Sequence, residues 1–201
     1  MTFLAVMDPP WSADTGGGRR GANTHYALAG VDGIAQAVRM SGLWVDSGPA
    51  LVWMWATSSA LVNGDAHGLA NRLGLRICAG FVWVKVDEFC GACGLRAFDE
   101  LPCCDAPAYS PTTRMGLGQW SRCEHEHLLV CRRGEVRVPK PSARQPSVIY
   151  APRGRHSAKP QAAWDVIVET SRSSVGLAWG VEFFARTARP GWTAWGNEAP
   201  R

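Results

Sequence analysis

The chain has 201 residues, 46% of them hydrophobic, and a formal charge of +4 at pH 7, the profile of one soluble globular domain with room for a sizeable core. No apolar run reaches the roughly 18 residues needed to cross a bilayer, and the N-terminus lacks the basic, apolar and small-residue succession of a secretion signal. Seven cysteines, an odd number without such a signal, argue for a reducing, cytoplasmic setting and against a disulfide framework.

Phe3-Leu4-Ala5-Val6-Met7 predicts a buried strand, stopped by Asp8-Pro9-Pro10-Trp11. Proline cannot continue a ladder and pushes the residue before it to extended geometry, so the chain leaves the sheet in a stiff loop. That loop carries a carboxylate, a bare carbonyl and an indole. Oxygen acceptors suit an exocyclic amine and an indole suits the flat ring bearing it. The plainer alternative is a turn after an edge strand. Residues 12–21, with Gly16-Gly17-Gly18-Arg19-Arg20, have the composition of a mobile loop, and its length beside a site suggests a lid. The glycines lack phosphate-loop spacing.

His25-Tyr26 precedes a helical pattern over about residues 32–43, with Ile34, Ala37 and Val38 on one face. Residues 51–55 read as a strand, about 60–73 as a helix capped by Gly74, and 75–85 as strand material. Strand, helix, strand is the grammar of an α/β domain with a largely parallel sheet. The segment from about 87 to 120 breaks that grammar. It holds Cys90-Gly91-Ala92-Cys93 and Cys103-Cys104, whose four thiolates can form a structural zinc site; four unrelated thiols in a surface insert are the alternative.

Strand character returns at 127–131 and 147–150, and Pro160 opens a helix from Gln161 to about Thr170. Residues 181–185 and 192–195 read as the last two strands. From Arg132 to Lys159 the basic residues Arg132, Arg133, Arg137, Lys140, Arg144, Arg153, Arg155 and Lys159 face Glu135 as the only acid, an excess suited to a polyanion or to a solvated loop. Ten tryptophans is a high count; core packing is expected for Trp53 and Trp83 but not for Trp11.

Asp8-Pro9-Pro10-Trp11, Val82-Trp83-Val84-Lys85, residues 116–122 with Glu126-His127-Leu128-Leu129-Val130, His156-Ser157-Ala158-Lys159-Pro160, and Glu182-Phe183-Phe184-Ala185-Arg186 through Trp195-Gly196-Asn197-Glu198 occur in that order. In this the chain resembles the adenine-N6 methyltransferase family that includes the catalytic subunit of the eukaryotic messenger-RNA N6-adenosine methyltransferase, in the style of its short phage and bacterial members acting on DNA. The resemblance spares only about 87–113, read as a Cys-rich insert in a single domain spanning 1–201. It implies a Rossmann-like α/β fold of permuted order, catalytic loop early and cofactor strands late, with S-adenosylmethionine as methyl donor and no metal in the chemistry.

By motif position Asp8 and the Pro9 carbonyl would hold the adenine amine, with Pro10 and Trp11 completing the motif. Trp11, Tyr26 and Trp120 would border the flipped base, and Arg19, Arg20, Arg122 and the basic segment would meet phosphates. Lys159, with His156 near it, would face the donor carboxylate, and Arg186, Asn197 and Glu198 its ribose and adenine. Thr187-Ala188-Arg189 departs from the polar residues familiar members carry there, leaving Arg189 as a substitute ribose contact. Glu198 stands where many members carry an amide, and a carboxylate also accepts two ribose hydroxyls. DNA is the expected partner, with RNA adenine-N6 methylation, cytosine-N4 methylation and an inactive nucleic-acid-binding partner subunit as alternatives.

Overall fold

The computed structural model describes residues 1–11, 30–90, 107–111, 123–154 and 158–199, of which 88–90 and 107–111 are described by backbone alone. The elements in chain order are β1 (Phe3–Met7), α1 (Val31–Met40), β2 (Ala50–Ala56), α2 (Ser58–Val62), α3 (Asp65–Arg72), β3 (Arg76–Cys90), β4 (Pro107–Pro111), β5 (His125–Arg133), β6 (Val148–Pro152), α4 (Gln161–Val175), β7 (Gly180–Phe183) and β8 (Trp192–Trp195). They build one eight-stranded sheet, ordered β4-β3-β5-β2-β1-β7-β8, with β6 also paired to β3. The β1–β2, β1–β7, β7–β8 and β3–β6 pairings are parallel, and β5 runs antiparallel between β2 and β3. The expected mostly parallel α/β fold is what the chain adopts.

Hydrophobic patterning explains the layers. β2 is buried at all seven positions, as a central strand covered on both faces must be. Ala5, Met7, Val52 and Met54 pack with Ile34 and Val38 of α1, Leu69 of α3 and Leu73 just after it on one face. Leu4, Val6, Trp53 and Trp55 pack with Trp83, Trp164 and Ile167, the last two from α4, on the other. Trp53 and Trp83 are core residues, as expected from sequence.

Because the strands are parallel, β1, β2, β3, β6, β7 and β8 all end at one edge, and antiparallel β5 begins there. This carboxyl edge is where parallel α/β sheets collect their functional groups. The first strand in the chain lies directly beside β7, near the chain's end, which is the permuted order in physical form.

Three local expectations are corrected. The helix expected over 60–73 is broken into α2 and α3 at Gly64, whose φ of 81° suits glycine and ends a regular helix. The strand expected to stop at 85 continues to Cys90, and Pro107–Pro111 returns along it antiparallel, so the insert is rooted in the sheet at both ends. Helix α4 runs on to Val175, ended by Gly176 at φ 73°.

Candidate active site

Asp8 leaves β1 with its amide donating to the Phe183 carbonyl at 3.3 Å, which ties the loop to the end of β7. Pro9 and Pro10 are buried. The Trp11 amide donates to the Pro9 carbonyl at 2.8 Å, closing a tight turn and leaving that oxygen one further lone pair. The Asp8 side chain is 24% exposed and its Oδ1 lies 3.1 Å from Lys159 Nζ. It is paired and still open to solvent on one side.

Lys159 enters from the segment before α4. Its ammonium also meets Glu126 Oε2 at 2.8 Å, and Glu126 Oε1 in turn meets Lys85 Nζ at 2.6 Å. An ion chain, Asp8–Lys159–Glu126–Lys85, thus crosses the carboxyl edge from β1 to β3. Both ammonium groups sit over indoles, Lys159 at 5.0 Å from the Trp55 ring and Lys85 at 5.1 Å from Trp83, and these rings stack edge to face. Burial alone would push the carboxyls up and the lysine down. For Glu126 the two lysines outweigh burial and hold its pKa down to about 2. For Asp8 burial wins over the Lys159 charge, and its pKa lies above the ordinary carboxylate value. Burial opposes the Lys159 charge, but the two carboxylates outweigh it and its pKa is raised.

The second half of the site is the end of β7 and β8. Phe184 takes a left-handed φ of 62° and the Ala185 amide donates to the Trp195 carbonyl at 3.0 Å. Gly196 is required there: a Cβ would stand 2.9 Å from the Phe184 Cα. This close approach brings Arg186 and Glu198 together, Nε to Oε2 at 3.3 Å, both about a third exposed. Asn197 is exposed beside them.

Trp11 corrects its expectation. It is 7% exposed, packs in the core on the α1 side, and its indole N–H donates to the Trp55 carbonyl at 2.9 Å. The ring anchors the loop against β2; it is not an open stacking platform. Arg189 is corrected likewise. Its guanidinium lies 4.1 Å over the Trp164 ring of α4 and 3.8 Å from Glu182 Oε2, so it staples the β7–β8 connection to α4. The basic segment also divides: Lys159 is at the carboxyl edge, whereas Arg137 and Lys140 line a cavity with Thr2, at the opposite edge. Tyr26, Arg19, Arg20, Trp120, Arg122, His156, Cys93, Cys103 and Cys104 lie outside the described residues, as does the side chain of Cys90. Among the described residues no group of three or more His, Cys, Asp or Glu could hold a metal ion.

Lys85, Glu126 and Glu182 have structural roles that the motifs alone do not announce. The sequence signal for them is a charged residue set into or closing an otherwise apolar strand, as in Phe81-Val82-Trp83-Val84-Lys85 and Val181-Glu182-Phe183. Glu182 faces the α4 side of β7. Its Oε2 is buried with no hydrogen-bond partner among the described residues, as is Arg189 Nε. Burial, opposed by Arg189 and aided by the Asp8 charge, lifts its pKa to about 7.

The raised pKa makes stability depend on pH. The folded state keeps the Glu182 proton where the unfolded chain has lost it. Stability therefore falls as pH rises from about 4.5 through about 7, by up to about 3 kcal/mol for one such group. In Glu182→Gln this decline is removed, so denaturant midpoints at pH 5 and pH 8 converge relative to wild type. An unchanged pH dependence would show that Glu182 does not carry the proton.

Strands ending together at one edge, with a paired but open carboxylate where β1 leaves the sheet and a cation-carboxylate chain beside it, form a Rossmann-like fold of the methyltransferase type. The model of the MT-A70 family matches residues 107–198, a span holding Glu126, Lys159, Arg186, Asn197 and Glu198. The chain is 27% identical over 205 residues to the N(6)-adenine-specific methyltransferase METTL4 of Mus musculus, covering 98% of this chain and 37% of that protein. It is 30% identical over 154 residues to the type II methyltransferase M.MunI of Mycoplasma sp, covering 75% of this chain and 51% of that protein. The chain therefore spans between about a third and a half of the length of these curated relatives.

Proposed function

We propose that the chain transfers a methyl group from S-adenosylmethionine to the N6 amine of adenine in a nucleic acid, with DNA as the favoured substrate. The observation that carries this is the Asp8-Pro9 pair of acceptors at the end of β1, held beside the Lys159 ammonium 3.1 Å from the Asp8 carboxylate. The name of METTL4 as an N(6)-adenine-specific methyltransferase supports the choice of amine. The resemblance to short phage and bacterial members supports DNA.

The groups at the two halves of the site fit a zwitterionic nucleoside donor. Lys159 offers a cation for a carboxylate, and Glu198, Arg186 and the exposed Asn197 offer acceptors and donors for ribose and adenine. When bound, S-adenosylmethionine supplies an electrophilic methyl group on a sulfonium sulfur. The adenine amine is a weak nucleophile because its lone pair is delocalised into the ring. The Asp8 carboxylate and the remaining Pro9 carbonyl lone pair accept its two N–H bonds and turn the nitrogen toward tetrahedral geometry. Asp8 then offsets the positive charge developing on nitrogen, and no strong base is needed because the product ammonium is acidic. Alignment of amine and methyl group supplies several kcal/mol more. In a duplex the base must first leave the stack, at a cost of a few kcal/mol.

The test is incubation with methyl-labelled S-adenosylmethionine and, separately, duplex DNA, single-stranded DNA and RNA, followed by digestion to nucleosides. Label in N6-methyl-2′-deoxyadenosine from DNA is the expected result. Label confined to RNA or to cytosine reassigns the substrate, and no labelled nucleoside from any of them overturns the proposal.

A further inference from the structure

A cavity of about 590 Å³ opens between the N-terminus of β1, the connection after β5 and the last turn of α4, lined among others by Thr2, Glu135, Arg137, Lys140, Arg172 and Ser173. It sits at the amino edge of the sheet. Thr2 and Asp8 are six residue steps apart along β1, so the cavity is about 20 Å from the catalytic loop at ~3.3 Å per residue. The walls are tied together. The Lys140 amide donates to Ser173 Oγ at 3.2 Å, and the Ser174 hydroxyl donates to the Arg137 carbonyl.

Three exposed cations from two separate elements converge here against one lining carboxylate, Glu135. Arg172 has a local explanation, since it sits in the last turn of α4 and pairs with Glu169 at 3.4 Å. Arg137 and Lys140 have none, and among the described residues neither forms an ion pair. Like charges brought together on a pre-formed concave surface raise a local positive potential, which anions relieve. Serine hydroxyls and arginine forks are suited to phosphate oxygens.

We propose that this cavity is a phosphate-binding site separate from the catalytic edge. Its ligand is the backbone of the nucleic acid whose base is methylated, an assignment that rests on the function proposed above; a small phosphorylated ligand would present the same chemistry. A strand or duplex engaged at both edges is gripped across the length of β1, which fixes its direction over the site.

The experiment uses the full chain, a fluorescently labelled DNA duplex and inorganic pyrophosphate. In the triple variant R137Q/K140Q/R172Q the duplex dissociation constant should rise about tenfold or more, and the slope of log affinity against log salt should flatten by about 2 to 3. E135Q, which removes the one opposing charge, should bind more tightly than wild type, a gain that misfolding cannot mimic. Donor binding should be unchanged in both. If the wild-type protein ignores the duplex but binds pyrophosphate, and the triple variant loses it, the site stands with a small phosphorylated ligand and the nucleic-acid reading falls. Duplex and pyrophosphate binding both indifferent to the triple variant and to E135Q would overturn the site itself.

Discussion

Asp8→Asn should lower the rate of methyl transfer by about 100-fold or more while leaving donor affinity within a few-fold of wild type. The amide keeps an oxygen that can accept from the substrate amine and from Lys159, and Lys159 retains Glu126 at 2.8 Å, so the loop keeps its place. What disappears is the negative charge facing the nitrogen as it becomes cationic. A loss of one pre-positioned electrostatic stabiliser is of this size. Single-turnover rates at saturating donor and nucleic acid, with donor affinity by calorimetry, separate the two effects. Near-wild-type turnover would remove Asp8 from the chemistry.

Lys159→Met should destabilise the fold by about 3–5 kcal/mol, the usual consequence of deleting one partner from a buried ion pair. Lys159 links Asp8 to Glu126, with a side chain 13% exposed and carboxylate oxygens at 3.1 and 2.8 Å. Its loss leaves two half-buried carboxylates, of which Glu126 retains a lysine, Lys85. The acid limb should change too. Glu126 has its pKa held down to about 2, so it contributes stability that is present above about 4.5 and is lost as pH falls toward 2. Without Lys159 part of that contribution goes, so the stability gained between pH 3 and pH 6 should be smaller than in wild type. Urea unfolding at both pH values checks this. A change below about 1 kcal/mol at neutral pH would mean that the ion chain does not hold the edge together.

The strands were legible in the sequence because their burial is written in the residues themselves. Phe3–Met7 and Ala50–Ala56 are unbroken apolar runs ended by polar or proline residues, and such runs have few other places to go. The stop at Asp8-Pro9 was legible for the same reason, since proline's missing donor is a property of one residue. Helix interruption at Gly64 was not read, because Asn63-Gly64-Asp65, flanked on both sides by Ala and Leu at helical spacing, is compatible with a continuous helix until neighbouring elements fix the glycine φ. The continuation of β3 to Cys90 depended on a partner, Pro107–Pro111, that local pattern does not reveal.

The site divides along the same line. Sequence alone determined that an acid and a carbonyl would be presented at a strand end, that two short strands would close the chain, and that cations would cluster after β5. Tertiary structure alone decided that Trp11 is an anchor bonded to the Trp55 carbonyl, that Arg189 lies on Trp164, and that Asp8, Lys159, Glu126 and Lys85 form one chain. The physical reason is range. Chain stiffness and hydrophobicity act through neighbours in sequence, whereas an ion pair or a cation over a ring depends on which strands the sheet sets side by side, here β3, β5, β2 and β1 in that order, with the segment leading into α4.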